Sequence, residues 1–357
     1  MKVIYADNVN DAFKKALYYM ADHAVLEYSR NGEVAVAPGP VCTVYDNPDD
    51  RVLFSPKRDA NPFFHVMEAL WMLHGDNDVV FPTYFNANMS KYSDDTVTFW
   101  GAYGHRWREF FGYDQLARIV DELKADPNSR RAVLAMWNAW GPEDSGMELQ
   151  DDLCVASHGG LDVPCNTHVY FDCRGGRLNM TVCNRSNDIV WGAYGANYVH
   201  MSFLQEFIAT SIDMEIGQYR QFSNNFHIYT EKLPKEKWGE WATDSSLANH
   251  YETDVGRHWR HVSLIDGDFE MQSWDGALEF FMTQVRKLMA DPMFYPTANF
   301  VTANNFLTNT AWPMFMVWRE RKAGRDILTW LNAIEAPDWK LACENWIVRH
   351  LSGAPKS

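Results

Sequence analysis

The chain has 357 residues, 46% of them hydrophobic and 15% aromatic, a composition that excludes a disordered polymer. A formal net charge of −15 excludes a protein that tracks nucleic acid, since duplex binding needs clustered Lys and Arg, although a few local arginines could still hold a small anion. The start, from Met1 to Asp7, carries no basic flank and apolar core of a secretory signal, and no run is apolar enough to span a bilayer. A cytoplasmic protein with no membrane and no nucleic-acid partner is expected.

Residues 11–29 have helical periodicity, closed by the turn signal Arg30-Asn31-Gly32. A stretch rich in Val, Tyr, Phe and Pro then suggests strands and loops. Residues 62–74 read as an apolar helix with a single acid, Glu68, and residues 114–125 as another helix, broken by Asp126-Pro127-Asn128-Ser129. Residues 130–137 look like a strand. From 165 to 185 the alternation of His168, Tyr170 and Asp172, the turn Arg174-Gly175-Gly176-Arg177, and the return through Leu178, Met180 and Val182 predict a β-hairpin. Residues 197–213 read as helix, 218–229 as strand, and 275–290, 311–333 and 338–351 as helices. With no repeat or linker, one domain over 1–357 is expected, its part from 235 to 357 mainly helical.

The six cysteines lack both the density of a disulfide scaffold and the C-x-x-C pairs of a zinc site, so no metal is expected. His65, His74 and His105 read as packing or surface residues. Cys165 differs through its neighbours: Val163-Pro164-Cys165-Asn166 is followed by Asn184-Arg185-Ser186-Asn187-Asp188 and then His227-Ile228-Tyr229. Cysteine is a strong soft nucleophile, and a nearby arginine lowers its pKa and binds anions. The hairpin would bring Cys165 and Arg185 together at its open end. This order of thiol, guanidinium, amide and imidazole suits a phosphorylated pyrimidine.

These residues resemble the thymidylate synthase superfamily, whose motifs run approximately P-C-H, Q-R-S-x-D-x-x-x-G and H-x-Y. Further matches in order are Arg30 before Asn31-Gly32, Lys57-Arg58, Glu68-Ala69-Leu70-Trp71 with Gly75-Asp76, Tyr103-Gly104 before Arg106-Trp107-Arg108, Asp126-Pro127-Asn128-Ser129-Arg130-Arg131, and Trp137-Asn138. The resemblance implies an α/β (α+β) fold, a large twisted mixed sheet packed by helices, and an obligate homodimer. It also implies 5,10-methylenetetrahydrofolate as cosubstrate. Cys165 would add to C6 of the pyrimidine, and Glu68 would organise proton-moving waters. Arg30, Arg185, Ser186 and Asn187 would hold the nucleotide, Arg130 and Arg131 would reach the partner's phosphate, and His227 and Tyr229 would hold the sugar and phosphate. Tyr103 and Asp188 would join the catalytic group as pocket wall near the folate, and Glu68, Trp71, Met89, Asp188 and Gly192 would line the folate side.

Three departures from the family pattern bear on the product. The base-reading amide of the family lies four residues after the motif glycine; here Ala196 has that distance from Gly192 and Asn197 is one later, favouring uracil if the insertion is absorbed. Met89 and Tyr92 stand where tryptophans wall the folate, and the chain ends Leu351-Ser352-Gly353-Ala354-Pro355-Lys356-Ser357 rather than in a short apolar closing segment. Asn166 in place of the family's His points the same way. The expected activity is C5 hydroxymethylation of dUMP, or of dCMP or CMP, in the host cytoplasm if the chain is viral. Thymidylate synthase-type methylation is the alternative, and a non-catalytic nucleotide-binding relative a third.

Overall fold

A computed structural model describes residues 1–140, 150–243, 249–259, 261–265, 271–291, 293 and 300–351. Strands β1 (Lys2–Ala6), β4 (Val41–Tyr45), β9 (Glu215–Ser223), β7 (Arg177–Asn184), β6 (Asn166–Arg174) and β5 (Val133–Ala135) form a six-stranded mixed sheet in that spatial order. A second sheet has the order β2 (Val25–Ser29), β3 (Gly32–Val36), β10 (Phe226–Tyr229) and β8 (Asn187–Asp188). Helices α1 (Val9–His23), α2 (Pro62–His74), α3 (Val80–Phe85), α4 (Tyr103–Arg108) and α5 (Gln115–Ala125) precede a long helix at Ala196–Ser211. The expected α/β class with mixed sheets and many helices is what the chain adopts.

Two expected elements divide differently. The helix read over 11–29 stops at His23, and Val25–Ser29 instead pairs antiparallel with Gly32–Val36 as a hairpin. Its side chains are all exposed, so periodicity carried no burial signal there, and the pairing with β3 decides the conformation. The strand read over 218–229 is two strands in different sheets. Between them the Asn224 amide donates to Asn184 O at 2.8 Å and Asn225 O accepts from the Asn187 amide at 2.8 Å, turning the chain from one sheet into the other. The strand expected over 130–137 shortens to Val133–Ala135, and the helix expected over 311–333 is interrupted at Gly324, whose φ is +68°.

The core gathers round α2, which is buried on all sides, with Asn61 capping its start and left-handed Gly75 ending it. It packs on the equally buried Ala196–Ser211 helix. The C-terminal helices cover α2 from the other side, where Phe63 meets the rings of Trp318 and Trp346 at 5.5 and 5.7 Å.

One buried ion pair locks the loops that lead to the site. Arg106 of α4 grips Asp152 with both terminal nitrogens at 2.8 Å, and also donates to Met136 O and Trp100 O. Asp152 accepts further bonds from Trp100 Nε1 and the Asn138 amide, each 2.7 Å. Both side chains are fully buried. Removing one partner strands the other charge in the interior, so Asp152→Ala should lose about 3–5 kcal/mol of stability in denaturant unfolding, far more than a surface pair would.

Candidate active site

The hairpin β6–β7 closes on Gly175 and Gly176, both at positive φ as a tight two-residue turn requires. At its open end the Arg185 amide donates to Cys165 O at 2.9 Å. The Arg185 side chain then wraps the turn before the thiol: Nε donates to Pro164 O at 2.7 Å and Nη2 to Val163 O at 2.9 Å, leaving Nη2 3.8 Å from Cys165 Sγ. From the opposite side Tyr103 Oη accepts the amides of Cys165 and Asn166, each at 3.1 Å. Cys165 is thus fixed through its backbone by Arg185 and Tyr103.

Burial pushes the Cys165 thiol up, and this outweighs the pull of Arg185 and Arg30 toward the thiolate. The expected lowering by arginine is therefore present in sign but not in sum. Asp162 adds to the rise; it is half-buried three residues ahead, its Oδ2 accepting the Gly101 amide at 2.8 Å, and desolvation pushes its own carboxyl up to about 6. Sequence reasoning missed Asp162, although an acid within Leu161–Pro164 directly before Cys165 was a signal.

Arg30 sits at the exposed tip of the β2–β3 hairpin, where the adjacent Asn31 donates to Tyr229 Oη at 3.4 Å. On β10, His227 stacks edge-on with Tyr229 at 5.0 Å, its Nδ1 2.8 Å from Asn225 Oδ1. Burial pushes His227 down to about 4, so its ring is neutral near pH 7. Strand β8 pairs beside it, aligning Asn187 with Phe226 and Asp188 with His227. The structure so brings Arg30, Cys165, Arg185, Asp188, His227 and Tyr229 into one region. Ser186 follows Arg185 and is half-buried.

Arg130 and Arg131 are exposed elsewhere on the chain, and Arg131 pairs with its own Glu122 at 2.8 Å. Trp71 is enclosed, its indole N–H donated to Asp78 at 3.1 Å. Met89, on a 3-10 turn at Ala87–Tyr92, is partly buried against the core, whereas Tyr92 is exposed. The C-terminal residues 352–357 lie outside the described residues.

Between β8 and the long helix lies a π-helical turn, Ile189–Ala193. A π turn closes i to i+5 and holds one residue more than an α turn. Past it, Ala196 opens the helix and Asn197 donates from Nδ2 to Asn187 Oδ1 at 3.3 Å. A Cβ on Gly192 would lie 2.7 Å from Asn187 Oδ1, so this amide pair needs glycine there. Asp188 Oδ1 caps the turn by accepting the Trp191 amide at 2.5 Å, while burial pushes its carboxyl up to about 6 against the pull of Arg58. That arginine is itself buried, bonded to Val190 O and stacked 4.3 Å over the Trp191 ring.

Glu68 faces His200 across the α2 interface, a contact the sequence did not announce. Nε2 lies 3.0 Å from Oε2, yet off the line a hydrogen bond requires, so both atoms remain without a hydrogen-bond partner among the described residues. Among the described residues the buried side-chain amide of Asn166 and Asp188 Oδ2 also lack hydrogen-bond partners. Such orphaned groups mark places for water or ligand. Among the described residues no group of three His, Cys, Asp or Glu side chains is set to hold a metal ion. No helix there is long and apolar enough to cross a membrane.

The charges around Cys165 predict a signed response. Asp162→Asn removes a negative charge that opposes the thiolate, so the midpoint of iodoacetamide alkylation against pH should fall by up to about one unit. Arg185→Gln should move it up. A midpoint unmoved in both variants would show that neither charge acts on the thiol.

The thymidylate synthase family model matches residues 56–238. A deoxyuridylate hydroxymethyltransferase of Pseudomonas phage M6 is 41% identical, covering 98% of this chain and 94% of that protein. One from Bacillus phage SP01 is 38% identical over 54% of this chain and 50% of the relative. The crystal structure of T4 phage thymidylate synthase aligns at 20% identity with a TM-score of 0.49, covering 63% of this chain and 79% of that one. With a relative at this identity along almost its whole length, the chain belongs to the thymidylate synthase family.

Proposed function

We propose that the protein is a deoxyuridylate hydroxymethyltransferase, moving a one-carbon unit from 5,10-methylenetetrahydrofolate to C5 of dUMP. The observation that carries this reading is the Cys165 thiol held beside Arg185, in a chain so similar throughout to the Pseudomonas phage enzyme. Cys165 adds as thiolate to C6, which makes C5 nucleophilic enough to attack the folate methylene. Loss of the C5 proton and departure of tetrahydrofolate leave an exocyclic methylene on the ring. Water then adds to it, and the thiolate leaves. Family enzymes use methylenetetrahydrofolate as cosubstrate; Asp188, Gly192, Trp71 and Met89 are the residues we assign to its side of the site.

Arg185, Ser186 and Arg30 are proposed to clamp the phosphate, since guanidinium forks match its oxygens. Neutral His227 and Tyr229 are assigned to the sugar. Asn197 supports a preference for uracil: we read the π turn at Ile189–Ala193 as taking up the extra residue after Gly192, and an Asn amide can both donate and accept toward N3 and O4. We also read the chain as one domain over 1–357, supported by the packing of Trp318 and Trp346 on Phe63. A homodimer is supported by the uncovered face of the six-stranded sheet, whose hollow is lined by Val3, Tyr5, Cys42, Val44, Tyr170 and Phe222. Arg130 and Arg131 would reach the second site across that pairing, which sedimentation would detect as a mass of twice the chain.

Two measurements test the activity. Release of the C5 hydrogen, compared among dUMP, dCMP, CMP and UMP with methylenetetrahydrofolate present, should be fastest with dUMP, and Cys165→Ala should abolish it; continued release in that variant removes Cys165 as nucleophile. The folate product separates the endings: hydroxymethylation returns tetrahydrofolate, whereas methylation yields dihydrofolate with rising ultraviolet absorbance. A robust rise with matching 5-methyl product would overturn the hydroxymethyl reading.

A further inference from the structure

Among the described residues, three polar atoms have no hydrogen-bond partner at one buried contact: Oε2 of Glu68 and both ring nitrogens of His200. The residues are only 5% and 2% exposed. Each such atom left unsatisfied costs about 1–3 kcal/mol, so a contact of this kind implies a guest that satisfies them. Nε2 and Oε2 are close enough, at 3.0 Å, to share a single small partner. A buried water can bond Oε2 and Nε2 together, while Nδ1, on the far side of the ring, takes a separate partner. The carboxylate can only accept, whereas a neutral imidazole donates at one nitrogen and accepts at the other. Together they can orient a water and receive its proton.

The placement of His200 adds a second argument. It follows Asn197 by three residues on the same helix, so the two side chains share a face. Asn197 is in turn tied to Asn187 beside the nucleophile's arginine. One helix face therefore carries both the amide assigned to the base and the imidazole that meets Glu68. Asn166, next to Cys165 and fully buried, contributes a side-chain amide that also lacks any partner among the described residues.

We propose that the Glu68–His200 pair holds the water that attacks the exocyclic methylene, His200 being the positioning residue that orients Glu68 and that water. This rests on the hydroxymethylating reading above. In the step, the water oxygen bonds to the methylene carbon and its proton passes to the pair. The C5–methylene π electrons move into the ring as an enolate. That enolate then expels Sγ of Cys165, breaking the C6–S bond and restoring the C5–C6 double bond. Nothing is oxidised or reduced, and the elements of one water are added.

The test follows dUMP labelled at C5, measuring label release and hydroxymethyl product together, with 2-mercaptoethanol present to trap any methylene that water fails to reach. The wild-type protein should form one hydroxymethyl group per hydrogen released. In His200→Gln the release should persist while the product-to-release ratio falls about tenfold or more and the thioether adduct appears. A ratio that stays at the wild-type value, or release and product falling in parallel, would overturn the proposal. His200→Asn, a smaller amide for the same cavity, is judged by the same ratio if His200→Gln does not fold. Failure of the underlying activity looks different: the wild type itself would then release label without hydroxymethyl product, or release none.

Discussion

The site depends on the Arg106–Asp152 pair. It ties together Trp100, Met136 and Asn138, and so fixes the segment from Trp100 to Arg106 against the end of β5. From that fixed segment two links reach the stretch from Asp162 to Asn166 in opposite senses. Tyr103 Oη accepts the amides of Cys165 and Asn166, and the Gly101 amide donates to Asp162 Oδ2. A buried ion pair of this kind brings little net stability over an apolar substitute, but it admits only one geometry. Here that geometry sets where the thiol stands.

Electrostatics at the thiol pull in opposite directions, with burial prevailing. Arg185 and Arg30 favour the thiolate, while burial and Asp162 oppose it. Arg185 also spends two of its donors on the carbonyls of Val163 and Pro164, which makes it a structural brace as well as a charge. The same economy recurs at Asn187, which closes the turn after Arg185 by bonding Ser223 and receiving Asn197.

Much of this was legible in the sequence where local rules dominate. The hairpin at 165–185 followed from alternation and Gly175-Gly176, and α2 from its apolar run over 62–74. The motif residues Arg30, Cys165, Arg185, His227 and Tyr229 were found by their order, and the hairpins then gathered them. What escaped was set by long-range pairing. Val25–Ser29 is compatible with helix until β3 offers a partner, and residues 218–229 split only because Asn224 and Asn225 bond across to Asn184 and Asn187. Asp152 and His200 had no local mark, since their partners Arg106 and Glu68 are remote in sequence.

The π turn at Ile189–Ala193 has a consequence for how such a site can change. An α-helix turns about 100° per residue, so one residue gained or lost ahead of it would ordinarily swing every following side chain off its face. A wide turn at the entry takes up that surplus locally and leaves the phase of Ala196–Ser211 to be set by its packing on α2. On the proposed assignment of Asn197 to the base, a change in length before this helix would then bear on recognition without disturbing the register of the core.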